Sequence, residues 1–226
     1  VNILALETAT PACALGLRRA DGFELGWVVD DDRHHTEALT PALSRLLAEA
    51  GLRVRDLDRI VVDRGPGLFT GLRVGLATAL GLSEGAGCPL VGVTSLELLA
   101  WGAQTDGVRG TLVAVVDARR GEVFVQSFAL DDEAVVELGP PEVARPRAVA
   151  IEWATNGAAV TFTGDGVARY RADLSAVPNG SIDEQLVPSI AAALELGARR
   201  ATSAVVEPLY LREADAVANF STRQRS

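Results

Sequence analysis

The chain has 226 residues, 48% of them apolar, and a formal net charge of −9. That is room for one large domain or two small lobes with a real core, and the charge argues against the chain alone gripping a phosphate backbone, which takes clustered basic residues. All 21 basic residues are arginine, so a P-loop and a Schiff-base mechanism, both of which need a lysine, are excluded.

Residues 2–7 (NILALE) read as a buried strand. After a turn at 8–11, Cys13–Arg18 makes a second strand, and Asp21-Gly22 turns the chain into a third at 23–29. The acidic run 30–32 reads as a solvated turn. Residues 36–50 have helical spacing, with Leu39, Leu43, Leu46 and Leu47 on one stripe, and Gly51 ends them. Arg59–Asp63 is a strand, 70–84 a helix despite its glycines, and Leu90–Val93 a strand. Residues 95–102 open another helix, with Ser95 as the expected cap.

A second series starts near residue 110. Residues 111–116 form an apolar strand ending in Asp117. A turn at 118–121, the alternating strand Glu122–Leu130, an acidic turn and a third strand at 134–138 follow. Pro140-Pro141 opens a loop before a helix at 146–154, which starts on proline. Val160–Thr163 is a strand, Gly164-Asp165-Gly166 a turn, and 188–201 a helix. Residues 206–211 are extended, and the polar tail from Arg212 is expected to fray.

Each series runs βββαβα, a repeat of organisation more than of letters. The fold class expected is α/β, with two lobes around a cleft, as in the actin/sugar-kinase/heat-shock (ASKHA) architecture. The N-terminal lobe would be residues 1–105 and the C-terminal lobe 106–205, with 206–226 packing back on the first. Such an analogy gives the fold and leaves the function open.

In that architecture the acid ending each lobe's first strand faces the cleft, near Mg²⁺ or phosphate. Here those acids are Glu7 and Asp117, which otherwise cap their turns. The turn after Glu7, Thr8-Ala9-Thr10-Pro11, has no glycine to let backbone N–H groups close on a phosphate. Gly164 and Gly166 are weak anion candidates beside the reading of an ordinary turn. His34 and His35 are adjacent instead of one helical turn apart, so no metal site is expected. No GxSxG nucleophile motif occurs, and Cys13 and Cys88 read as reduced buried thiols. No signal-peptide pattern and no long apolar run are seen, so a cytoplasmic location without membrane contact is expected.

Residues 63–75, DRGPGLFTGLRVG, pose a separate question. Glycine-rich turns after strands often cradle phosphates. The helix that follows also carries Gly71, Gly75 and Ala79 four apart, and an interior glycine costs about 0.5–1 kcal/mol relative to alanine. Leu72, Leu76 and Leu80 flank that seam, and Arg73 reaches beyond it. Either the chain's own helix at 36–50 or a second chain could pack there.

Four segments carry a family resemblance. RGPGLFTGLRVG (64–75) resembles the R-G-P-G-S-F-T-G-x-R-x-G signature of the TsaB (YeaZ) family. ILALETAT (3–10), DARRGEVF (117–124) and EPLYLR (207–212) are similar to its I-L-A-I-D-T-S-T, D-A-R-x-G-E-V-Y and x-P-x-Y-L-R, and His35-Thr36 to its His-Ser/Thr. The resemblance implies the two-lobed fold and a part in making N6-threonylcarbamoyladenosine at position 37 of tRNA. It implies a non-catalytic scaffold that heterodimerises with a TsaD-like catalytic homologue and engages a TsaE-like ATPase. It implies tRNA contact only through the complex, homodimers when alone, and no cofactor of its own, with ATP or ADP only at the assembled interface. The implied interface is formed by the two N-lobe helices: Thr36, Leu39, Leu43, Leu46, Leu68, Phe69, Thr70, Gly71, Leu72, Arg73, Gly75, Leu76 and Ala79. On that reading the glycines admit a partner helix. Glu7 for the usual aspartate and Leu68 for the usual serine are departures; the first weakens a nucleotide reading, and the second adds apolar surface beside the interface.

Overall fold

The structure, a computed structural model, describes residues 1–29 and 35–212. The acidic run 30–32, His34, the side chains of His35 and Thr36, and the tail beyond Arg212 lie outside the described residues.

The first sheet holds β1 (Ile3–Glu7), β2 (Cys13–Arg18), β3 (Glu24–Val29), β4 (Arg59–Asp63) and β5 (Leu90–Val93) in the order β3-β2-β1-β4-β5. The first three strands run antiparallel, and β4 and β5 run parallel to β1. All five residues of β1 are buried. A central strand covered on both faces reads as a continuous apolar run, which is why NILALE shows no alternation.

The second sheet repeats the plan with β6 (Gly110–Arg119), β7 (Glu122–Leu130), β8 (Val135–Glu137), β9 (Glu142–Ala144), β10 (Val160–Thr163) and β11 (Gly180–Ile182). Its order β8-β7-β6-β10-β11 matches the first sheet strand for strand, and β9 is an addition on β7. The three-residue strands β9 and β11 escape sequence reading because neither spans enough residues to show a period.

The helices are α1 (His35–Glu49), α2 (Phe69–Ala86), α3 (Ser95–Thr105), α4 (Pro146–Asn156), α5 (Asp165–Arg169), α6 (Arg171–Leu174) and α7 (Ile190–Arg199). Thr94, not Ser95, caps α3: its hydroxyl accepts from the Glu97 N–H, and the Glu97 carboxylate accepts from the Thr94 N–H. Ser95 is released to donate to Asp63 Oδ2 at 2.7 Å. The turn read at 164–166 opens α5, and the short α6 follows it.

The last helix of each lobe crosses over. α3 buries its apolar face on β6 and β7, and α7 lies on β1, β2 and β4. Arg200 next to α7 pairs with the buried Glu97 of α3. From Ser203 the chain returns over the first sheet: Ser203 bridges Leu90, the Leu209 N–H donates to the Arg64 carbonyl at 2.7 Å, and Arg212 reaches Glu122 of β7 at 2.9 Å. Among the described residues no helix is long and apolar enough to cross a membrane.

Candidate functional site: the interlobe cavity and the face of α2

Glu7 ends β1 and is fully buried. Its Oε1 accepts the Thr10 N–H at 2.9 Å and the Thr10 hydroxyl at 3.1 Å, so it holds its own turn closed. Burial first, then the charge of Asp63, pushes its carboxyl well above the usual range. The enclosed side chain fits the alternative in which Glu7 caps its turn. Asp63, at the end of β4, is equally buried. It accepts the Gly65 N–H at 2.8 Å and the Ser95 hydroxyl at 2.7 Å, and burial pushes it up to about 7. Sequence reasoning passed over Asp63, although it ends an apolar run as Glu7 does.

Asp117 also caps its turn. It accepts the Arg119 N–H at 3.0 Å, and its Oδ2 lies 3.1 Å from the Arg119 and 3.6 Å from the Arg169 guanidinium. Its own N–H donates to Asp165, whose carboxyl is raised by burial with a contribution from the Asp117 charge. Gly164 and Gly166 are explained by packing. A Cβ on Gly164 would collide with the Val115 carbonyl, and one on Gly166 would lie 2.7 Å from the Val115 side chain. Among the described residues, no group of three or more His, Cys, Asp or Glu could hold a metal.

The interface expected from the resemblance divides in two. Leu39, Leu43 and Leu46 are core residues of α1, and Gly71, Leu72, Gly75 and Ala79 form the buried face of α2. A Cβ on Gly75 would collide with Thr8 Oγ1, and that hydroxyl donates to the Gly71 carbonyl at 2.8 Å. A Cβ on Gly67 would strike the Ala9 carbonyl. Gly67 and Gly75 therefore admit the chain's own turn 8–10, while a Cβ on Gly65 would meet Leu72 and the Leu209 carbonyl. This corrects the reason given for them: neither α1 nor a partner helix fills the space.

Phe69, Thr70 and Arg73 lie on the outer face of α2, with Leu76 half-buried and Leu80 exposed. The Arg73 guanidinium stacks 3.7 Å over the Phe69 ring and donates to Tyr210 Oη at 3.2 Å. A groove of about 230 Å³ runs between Leu76, Ala77 and Leu80 on one side and Val205, Pro208 and Tyr210 on the other. Behind it, a cavity of about 570 Å³ opens between the start of α2, the turn after β6 and the returning segment 209–212. Leu68 lines this cavity, as do Arg119 and Tyr210. Tyr210 stands in the EPLYLR motif but is not among the expected site residues, because only the fold brings it back to α2.

Two sheets of one strand order, with each lobe's last helix packed on the other lobe's sheet, define a two-lobed protein of the actin-like (ASKHA) class. A family model described as TsaD, tRNA N6-adenosine threonylcarbamoyltransferase, matches residues 30–219. The Escherichia coli tRNA threonylcarbamoyladenosine biosynthesis protein TsaB is 34% identical over 168 residues, 70% of this chain and 71% of that protein. A Pseudomonas aeruginosa crystal structure, described as similar to the peptidase YEAZ, has 30% identity and a TM-score of 0.81, covering 93% of this chain and 99% of that one. An uncharacterized protein of Mycobacterium tuberculosis is 49% identical over 125 residues, and the match spans 57% of its length. The chain belongs to the family of that model, and within it to the TsaB (YeaZ) proteins.

Proposed function

We propose that this chain is the non-catalytic scaffold in the synthesis of N6-threonylcarbamoyladenosine at position 37 of tRNA. It pairs with a TsaD-like catalytic homologue, and the pair engages a TsaE-like ATPase. tRNA meets the chain only in that complex, and any ATP or ADP sits at the assembled interface. The name of the Escherichia coli relative supports the pathway. The sealing of Glu7 and the pairing of Asp117 with arginines support a non-catalytic part.

The observation that carries the pairing is the outer face of α2. Phe69 and Leu80 are 37% and 40% exposed there, beside Val205 at 62% and Tyr210 at 44%. A continuous apolar strip of this kind marks an interaction site. The buried half of the expected interface supports this face from beneath. Alone, the chain pairs with itself through the same strip, since an isologous contact needs only one self-complementary patch.

Reconstitution tests the reading. Modified adenosine should form from purified TsaD-like and TsaE-like proteins, tRNA and threonylcarbamoyl-adenylate only when this chain is added. Equal yields without it end the proposal. Leu80→Asp should weaken the heterodimer by tenfold or more, about 1.4 kcal/mol, in sedimentation. Its thermal midpoint should hardly move, because surface changes stay within about 0.5 kcal/mol. Unaltered pairing would remove the outer face of α2 from the interface.

A further inference from the structure

The interlobe cavity shares Phe69, Arg73 and Tyr210 with the pairing face proposed above and extends behind it to the turn after β6. We propose that it is a binding site for a small organic anion carrying a flat ring. At about 570 Å³ it falls in the range of about 300–1,000 Å³ typical of small-molecule sites. One wall is apolar, built from Leu68, Phe69, Leu72, Phe124 and Tyr210. The Phe69 and Tyr210 rings meet at 5.4 Å, a surface on which a ligand ring can stack.

The rest of the rim is cationic. Arg73, Arg119, Arg120 and Arg212 line the cavity with one acid, Asp117, whose charge Arg119 and Arg169 meet, while Arg212 pairs with Glu122. Arg73 makes no ion pair among the described residues, and its guanidinium sits 3.7 Å over the Phe69 ring. A guanidinium fixed in this way keeps free N–H edges for a carboxylate or phosphate. α2 begins at the rim with Leu68 in the cap position, no side-chain cap bond and no acid in its first turn, so its positive end is not neutralised locally.

The turn that carries two of these arginines is strained. Arg119 and Arg120 have φ of 63° and 56°, followed by Gly121 at 80°, and a register shift separates Asp117 from Arg119. Non-glycine residues held left-handed cost energy and cluster at ligand sites. Here both arginines of the turn line the cavity at positions where glycine would be easier. The Gly164–Gly166 turn takes no part, since both glycines back onto Val115.

Calorimetry on the full chain tests the site, with phenyl phosphate, benzoate, inorganic phosphate and uncharged adenosine as probes. We expect a ring-bearing anion to bind at roughly 1 mM or tighter. Inorganic phosphate should bind at least tenfold more weakly, and adenosine should give no heat. The tighter of phenyl phosphate and benzoate identifies the acid group that is read. Arg73→Gln and Arg119→Gln should each weaken binding tenfold or more with circular dichroism unchanged. Arg119 lies off the outer face of α2, so Arg119→Gln should leave the heterodimer intact, which separates this site from the pairing surface. No heat from either ring-bearing anion, or binding indifferent to both substitutions, overturns the proposal.

Discussion

Gly75→Ala will lower the free energy of unfolding by about 1–3 kcal/mol, the usual cost of forcing extra atoms into a packed interior. Helix propensity predicts the opposite sign, since alanine in a helix interior gains about 0.5–1 kcal/mol over glycine. Packing wins because the new Cβ would collide with the Thr8 hydroxyl, which is not free to leave. That hydroxyl donates to the Gly71 carbonyl one turn earlier on α2, and Thr8 is 1% exposed. The turn that carries it is fixed on its other side, where the Leu68 N–H donates to the Ala9 carbonyl at 2.5 Å and Gly67 packs on the same group. Thr8→Ala alone should cost about 1 kcal/mol for the lost hydrogen bond. In that background Gly75→Ala should become neutral or stabilising, because the remaining Thr8 Cβ sits at 3.4 Å, an ordinary contact. Urea denaturation of the four chains gives the coupling energy directly. If Gly75→Ala stabilises the otherwise unchanged chain, Thr8 does not fill that space. Gly75→Arg would test folding, not partner binding.

The same pair of residues marks the limit of sequence reading. Glycines four apart in a helix announce a close approach, but the residue that approaches, Thr8, is 67 positions away from Gly75 and carries no local signal. The element order was legible because each lobe opens on an apolar run ending in an acid and then alternates through two hairpin strands. Helix ends were less so. α2 runs on past Glu84 to Ala86 and stops at Gly87, whose φ of 67° permits the left-handed cap. Gly81 sits inside the helix with open space beside it, since a Cβ there meets nothing within 4 Å. Asp63 was hidden by its position. The sequence places it at the end of the strand Arg59–Asp63 but does not show that the fold encloses it between Ser95 and the glycine turn. The cavity was not legible at all, because Phe69, Arg119 and Tyr210 meet only after both lobes and the returning segment are in place.

The buried acids make stability depend on pH in a direction opposite to that of paired surface carboxylates. Glu7 and Asp63 end neighbouring parallel strands and are both fully buried. Burial raises Asp63 from an ordinary 3.8 to about 7, against the pull of the Ser95 and Gly65 donors. Burial and the Asp63 charge raise Glu7 well above its ordinary 4.5, against the Thr10 donors. In the unfolded chain both release their protons near those ordinary values, while the folded chain keeps them. Their contribution is therefore complete below about pH 4 and is lost as pH rises through the folded values. For Asp63 the interval is about three units, on the order of 4 kcal/mol between pH 4 and 7. Glu7→Gln keeps an oxygen to accept from Thr10 and has no proton to lose. It should raise stability at neutral pH and flatten the upper part of the profile, leaving the Asp63 step. Urea midpoints followed from acid to mildly alkaline pH decide it. Parallel profiles for the two chains would mean that Glu7 is ionised in the folded protein. In that case the turn 8–10 closes over a buried charge.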